Sequence, residues 1–386
     1  MRKFAISVAA LGAVAALALA GCSSNNNTGN TTATTGGSTP AASATTTSGG
    51  GASGDTISLP AFPAGSTIGV SLPQKTSENW VLAGQLFTDQ LTAAGFKPMV
   101  NYANGGVTDQ QNQIQAMITA GAKVLVIGAI DGSQLGTQLA QAKQAGATII
   151  AYDRLLLNTP NVDYYVAYDN FKVGVLQGQA LLDGMKAKKP NGPYNIELFA
   201  GSPDDANAKV FFNGAMSVLQ PKIDDGTLHV VSGQKSFDQA VTQGWKAENA
   251  QRRMDTLLAA SYNTTTLDGV LSPNDTLARA IITSVKSAGK PIPVVTGQDS
   301  EVESVKSIMA GEQYSTINKD TRALVAKAID MVKKLQAGQT PDVNDDKSYN
   351  NGNKVVPAFL LPPQIVTKAN AKEAYANDPT LSKLTQ

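Results

Sequence analysis

Six places in this sequence set carboxylate, amide or cationic side chains directly after a short apolar run. Residues 67–71 lead into Lys75, Glu78, Asn79 and Trp80, and residues 148–152 into Asp153 and Arg154. After 195–201 come Ser202, Asp204, Asp205, Asn207 and Lys209, and after 268–272 come Asn274 and Asp275. Gln298 and Asp299 follow 293–297, and Lys319 follows 314–318. These side chains are planar or forked donors and acceptors, suited to adjacent hydroxyls. Trp80 and Trp245, the two tryptophans of the chain, add flat apolar faces that can cover the C–H side of a pyranose ring. Recognition of a sugar is the chemistry this set supports. A phosphate ligand would ask for a glycine-rich anion loop, and neither G-x-x-x-x-G-K-[ST] nor G-x-G-x-x-G follows a strand here.

Other chemistry is thinly supplied. With one histidine, His229, and one cysteine, Cys22, zinc clusters, Cys-His nucleophiles and Ser-His-Asp triads are excluded unless that single histidine serves. No cofactor or metal is expected. The 31 basic and 30 acidic residues nearly cancel, so no basic field points to nucleic acid. Two of Asp153, Asp205, Asp275 and Asp299 could serve as the carboxylate pair of a glycosidase. Against this, the Asp-Arg and Asn-Asp pairs read as hydroxyl-binding forks that keep carboxylates ionised, whereas a general acid needs a raised pKa.

The elements that must position these groups follow an α/β rhythm from about Ile57 onward. Short apolar runs at 67–71, 123–129, 148–153, 164–169, 195–201, 229–233, 268–272, 293–297 and 314–318 alternate with helical patterns. Near-continuous apolar strands joined by helices predict parallel sheets covered on both faces. Within 80–91, Val81, Leu82, Leu86 and Phe87 fall near one helical face, and Gly146 has the chemistry of a helix stop before the next strand. In such sheets ligands bind outside the carboxyl ends of the strands, where all six polar clusters lie. With 386 residues there is room for about two domains, and no repeat of 20 to 50 residues argues for a solenoid.

The amino terminus sets the compartment. Arg2 and Lys3 precede an uncharged run from Phe4 to Ala20, suited to a signal peptide and slightly short for a membrane span. It ends in Leu19-Ala20-Gly21-Cys22, which resembles the bacterial lipobox. The resemblance implies cleavage after residue 21 and lipidation of Cys22, with several acyl chains together holding the protein on a membrane. Residues 22–55, rich in Ser, Thr, Asn, Gly and Ala, read as a flexible tether spanning on the order of 30 Å.

Several ordered segments carry a further resemblance: S-L-P-Q-K-T-S-E-N-W at 71–80, I-A-Y-D-R-L at 150–155, N-I-E-L-F-A-G-S-P-D-D-A-N-A at 195–208, V-L-S-P-N-D at 270–275, G-Q-D-S-E-V at 297–302 and A-G-E-Q-Y-S-T-I-N-K-D-T-R at 310–322. From about residue 67 to 368 the chain resembles the solute-binding proteins of ABC sugar importers, in the xylose-binding and multiple-monosaccharide-binding branch. The resemblance implies two Rossmann-like lobes, 56–167 with 320–352 and 168–319 with 353–386, joined by three chain crossings and closing on a sugar. It implies that Trp80 and Trp245 stack on opposite ring faces. Asp153 and Arg154 would bind hydroxyls from the first lobe, and Asn207, Asn274, Asp275, Asp299 and Lys319 from the second lobe and hinge. Two positions depart from the family: Asn79 and Gly244 stand where relatives carry arginine, which removes donor forks and disfavours acidic sugars. The implied protein is a lipid-anchored monomer outside the cytoplasmic membrane that delivers a neutral monosaccharide to an ABC permease and its ATPase. A chemoreceptor or histidine kinase as recipient is the alternative. LacI-type repressors share the fold, but a lipobox and tether occupy the place of their DNA-binding helices.

Overall fold

The computed structural model describes residues 60–75 and 77–386; the leader, Cys22 and the tether lie outside the described residues. The order from the start is β1 (Thr67–Leu72), α1 (Glu78–Ala93), β2 (Lys97–Tyr102), α2 (Val107–Thr119), β3 (Val124–Ile127), α3 (Gly136–Gln144), β4 (Thr148–Tyr152) and β5 (Tyr164–Tyr168). There follow α4 (Asn170–Lys188), β6 (Tyr194–Leu198), α5 (Ala206–Asp224), β7 (Leu228–Val230), α6 (Phe237–Ala240), α7 (Ala247–Ala260), β8 (Gly269–Leu271), α8 (Asp275–Ser287), β9 (Val294–Val295), α9 (Val302–Ala310) and β10 (Ser315–Asn318). The chain ends with α10 (Thr321–Gln336), β11 (Ala358–Leu361), β12 (Gln364–Thr367) and α11 (Ala371–Ala374).

Two parallel sheets result. One has the order β11-β5-β4-β3-β1-β2 and the other β7-β6-β8-β9, while β10 and β12 pair antiparallel. Both are covered on two faces, as apolar parallel strands require. In β3, Val124 and Val126 face α1 and α10, while Leu125 and Ile127 face α2 and α3, the alternation a pleated strand imposes. In the second sheet, Ile196 and Leu198 pack with α4 and α5, and Val270 and Val295 with α7 and α8.

The chain passes between the two bodies after β5, after β10 and between β11 and β12. The boundary expected at 352/353 is corrected here: Phe359 registers with Val166 in the first sheet, so the last crossing falls after Leu361. The short β11 sits between Pro357 and Pro362, which mask a strand signal. The edge strand β2 carries no clear strand signal in its sequence, because it contains Pro98 and is half exposed. The buried face of α1 is another correction. Trp80, Ala83, Gly84, Phe87 and Leu91 face inward, whereas Val81 is exposed, because the helix lies close enough to its neighbours that small residues make the contact. Gly146 adopts φ +78° and ends α3 as expected. Among the described residues no helix is long and apolar enough to cross a membrane.

Candidate functional site

The carboxyl ends of both sheets face a common cleft of about 440 Å³, part of it continuous with solvent. Asn79 and Trp80 reach it from the start of α1, Asp153 and Arg154 from the end of β4, and Asn207 from the start of α5. Trp245 enters from the turn before α7, Asn274 from the cap of α8, and Asp299 and Lys319 from beyond β9 and β10. Gln74, Ser77, Asp205, Phe211 and Gln298 complete the wall.

Each tryptophan sits against a glycine at a strand end. A Cβ on Gly128 would lie 3.0 Å from the Trp80 ring, and one on Gly201 would lie 2.1 Å from Trp245 Cζ2. Trp80 is further fixed edge-on by Tyr152, ring centroids 6.1 Å apart, and by the Arg154 guanidinium 5.3 Å above it. Gly201→Ala should therefore displace the Trp245 indole. Ligand affinity should fall about tenfold or more while the unfolding midpoint moves by no more than about 2 °C, since the ring is only partly buried; calorimetric titration beside a thermal melt reads both.

The charges are paired. Arg154, 7% exposed, places Nε 2.9 Å from Asp205 Oδ2 across the cleft, and its Nη1 donates to the Ala129 carbonyl. Asp205 also accepts from the Trp245 indole N–H at 3.0 Å and caps α5 through the Asn207 N–H. One carboxylate thus aligns an aromatic wall of one body with a cation of the other. The Lys319 ammonium lies 2.9 Å from Asp299. Burial opposes its charge, but Asp299 and Asp153 outweigh that and raise its pKa. Burial also raises the pKa of Asp153, against the opposing pull of Lys319 and Arg154. Asn207 Nδ2 donates to the Asp153 carbonyl, a second link between the bodies, and its Oδ1 accepts from Asn170 Nδ2 of the same body at 2.9 Å. Gln298 is 1% exposed; its Nε2 donates to the Pro273 carbonyl, and its Oε1 has no hydrogen-bond partner among the described residues. That leaves an acceptor for a ligand hydroxyl.

Asp153, Trp245 and Asp299 adopt left-handed φ of 61°, 54° and 97°. Such conformations cost of order 1–3 kcal/mol each and concentrate where geometry serves a site. Gly244, before Trp245, has φ 68° and donates its N–H to Ser202 Oγ. A side chain there would be strained by this conformation. Asn79 commits its Oδ1 to the Trp80 N–H and the Ser77 hydroxyl.

One expected site residue is corrected. Asp275 does not border the cleft; it is fully buried beneath it, accepting from Gln313 Nε2, Thr316 Oγ1 and the Glu301 N–H. Burial and the neighbouring Glu301 and Asp299 carboxylates push its pKa well up. Asn274 and Asp275 are adjacent at a helix start, and only the helix direction decides that the first faces the cleft and the second the interior. Lys75 lies over the Tyr102 ring and Lys209 is exposed, and neither borders the cleft. His229 is exposed on β7, away from the cleft. Phe211, beneath the Lys319 ammonium, carries no sequence signal that separates it from an ordinary core residue of α5.

Residues 68–340 match the periplasmic binding protein domain family. The chain is 51% identical over 317 residues to the multiple sugar-binding periplasmic receptor ChvE of Rhizobium radiobacter, covering 81% of this chain and 90% of the relative. It is 37% identical to the D-xylose-binding periplasmic protein of Escherichia coli K12, covering 81% and 89%. Its fold matches that of an ABC transporter solute-binding protein from Clostridium phytofermentans solved with β-D-glucose, with a TM-score of 0.79 at 40% identity, covering 83% of this chain and all of that one. A matched domain spanning most of the chain, together with relatives aligned across both sheets, shows that this protein belongs to the periplasmic binding protein domain family.

Proposed function

We propose that this protein is a receptor that captures one neutral aldopyranose and presents it to an ABC transporter, held to the outer face of the cytoplasmic membrane through Cys22 as a monomer. The observation that carries the reading is the cleft itself: two tryptophans seated on strand-end glycines, with ion-paired Asp and Arg or Lys groups between them. Apolar walls with a few fixed polar groups are what a small polar ligand with C–H faces requires. Trp80 and Trp245 would cover the ring, and Asn79, Asp153, Arg154, Asn207, Asn274, Asp299 and Lys319 would take its hydroxyls, joined by Asp205 and Gln298. The relatives named above bind sugars by their own descriptions, which supports the same ligand class here.

Binding without reaction is the better reading of the carboxylates. Asp205 and Asp299 each face a cation at 2.9 Å and Asp275 is enclosed beneath the cleft, an arrangement that orients hydroxyl contacts and does not offer the free carboxyl pair a glycosidase needs. Titration calorimetry against xylose, glucose, galactose, arabinose and ribose tests the proposal. One-site binding of at least one of them is expected, and absence of heat with all five would overturn it.

A further inference from the structure

At the lip of the cleft the two bodies also meet through a few specific groups, of which Ser77 borders the cleft and Glu78 does not. Glu78, the first residue of α1, accepts the Val302 N–H through Oε2 at 2.9 Å. Val302 is the first residue of α9, so its N–H has no partner within the helix, and a carboxylate at that end is also favoured by the helix dipole. Beside it, the Ser77 hydroxyl, whose single proton is shared with Asn79 Oδ1, lies 3.0 Å from Glu301 Oε1. Glu301 is 2% exposed and is itself held by Arg279 at 2.6 Å and by the Thr276 hydroxyl.

The lower half of this contact is rigidly joined to the sugar-facing wall. Gln298 and Asp299 border the cleft, and Glu301 follows two residues later. Between them Asp299 and Ser300 both hold positive φ, and the turn is fixed by the Glu301 N–H to Asp275, the Ser300 N–H to Thr316 Oγ1 and the Tyr375 hydroxyl to Ser300 Oγ. A turn braced at so many points moves as one piece. Glu78 itself does not border the cleft.

We propose that Glu78, through its bond to the Val302 N–H, forms a latch that sets the lifetime of the closed form equally for every sugar, while the cleft residues decide which sugar binds. Glu78 is a positioning residue: it touches no ligand and acts through the turn that carries Asp299. The inference rests on the sugar-receptor reading of the cleft. Because the contact is made only when the bodies are together, its loss should appear in dissociation rather than association.

The test measures kon, koff and Kd of Glu78→Ala and Glu78→Gln for xylose and glucose by stopped flow, with hydrogen exchange at residues 302–304 in the same variants. Expected is a rise in koff of about fivefold for Glu78→Ala, the size of one ordinary hydrogen bond, because at an exposed lip solvent screens the carboxylate's charge. It should be the same factor for both sugars, smaller for Glu78→Gln, with kon unchanged and faster exchange at 302–304. An unchanged koff, or a change confined to one sugar, would overturn the latch. Should the unaltered protein bind neither sugar, the receptor reading fails, and exchange at 302–304 still decides whether Glu78 holds the lip: unchanged protection in Glu78→Ala overturns it.

Discussion

Arg154→Ala is expected to weaken sugar binding on the order of a thousandfold, about 4 kcal/mol. Three losses coincide at this position. The guanidinium is removed from the cleft wall, the Trp80 face loses the cation above it, and Asp205 is left nearly buried without its partner across the cleft. Leaving one member of a buried ion pair is costlier than losing the attraction alone, because the remaining charge has already given up its water. Asp205 also aligns the Trp245 indole, so both aromatic walls loosen together. Arg154→Lys should recover only a small part of the loss, since an ammonium cannot bond Asp205 and the Ala129 carbonyl in one plane while lying over an indole. Calorimetric titration of the two variants with one sugar reads the difference, and near-normal affinity in Arg154→Ala would show that the cleft closes without this pair.

Gly174→Ala should have the largest effect on stability, about 3 kcal/mol, lowering the unfolding midpoint by roughly 6 °C. A Cβ at Gly174 would lie 2.0 Å from the Phe211 carbonyl oxygen, and one at Gly214 would lie 2.2 Å from that of Phe171. These are backbone atoms, which cannot turn aside as a side chain can. Helices α4 and α5 would have to part, and they carry Asn170 and Asn207, whose side chains bond each other beside the cleft. The variant should thus lose affinity as well as stability. A thermal melt matching the unaltered protein would mean that the two helices can separate at little cost.

Much of the site was legible in the sequence because its residues follow one topological rule. Asp153, Asp299 and Lys319 each come directly after an apolar run, and the carboxyl ends of parallel strands converge on one cleft. The rule selects a place in the chain but not the direction of a side chain. Asp275 satisfies it as well as Asn274 does, yet α8 turns its carboxylate into the interior among Gln313, Thr316 and the Glu301 N–H. Phe211 fails the rule altogether, since it lies within α5 and reaches the cleft because that helix begins there. The same limit applies to the fold. Strand β11 is four residues between prolines, and only its pairing with β5 shows that it belongs to the first sheet. On α1 the apolar residues Val81 and Leu82 indicated the wrong face, because close helix packing selects Ala83 and Gly84.

The central claim is that one aldopyranose is held between Trp80 and Trp245. Both tryptophans of the chain border the cleft, so intrinsic tryptophan fluorescence reports this place and no other. Titration with xylose or glucose should give a saturable one-site change in emission, reduced in Trp80→Phe and in Trp245→Phe and absent when both are replaced. Emission that stays constant with every aldose up to millimolar concentration, in a protein whose melt shows it folded, would contradict the account.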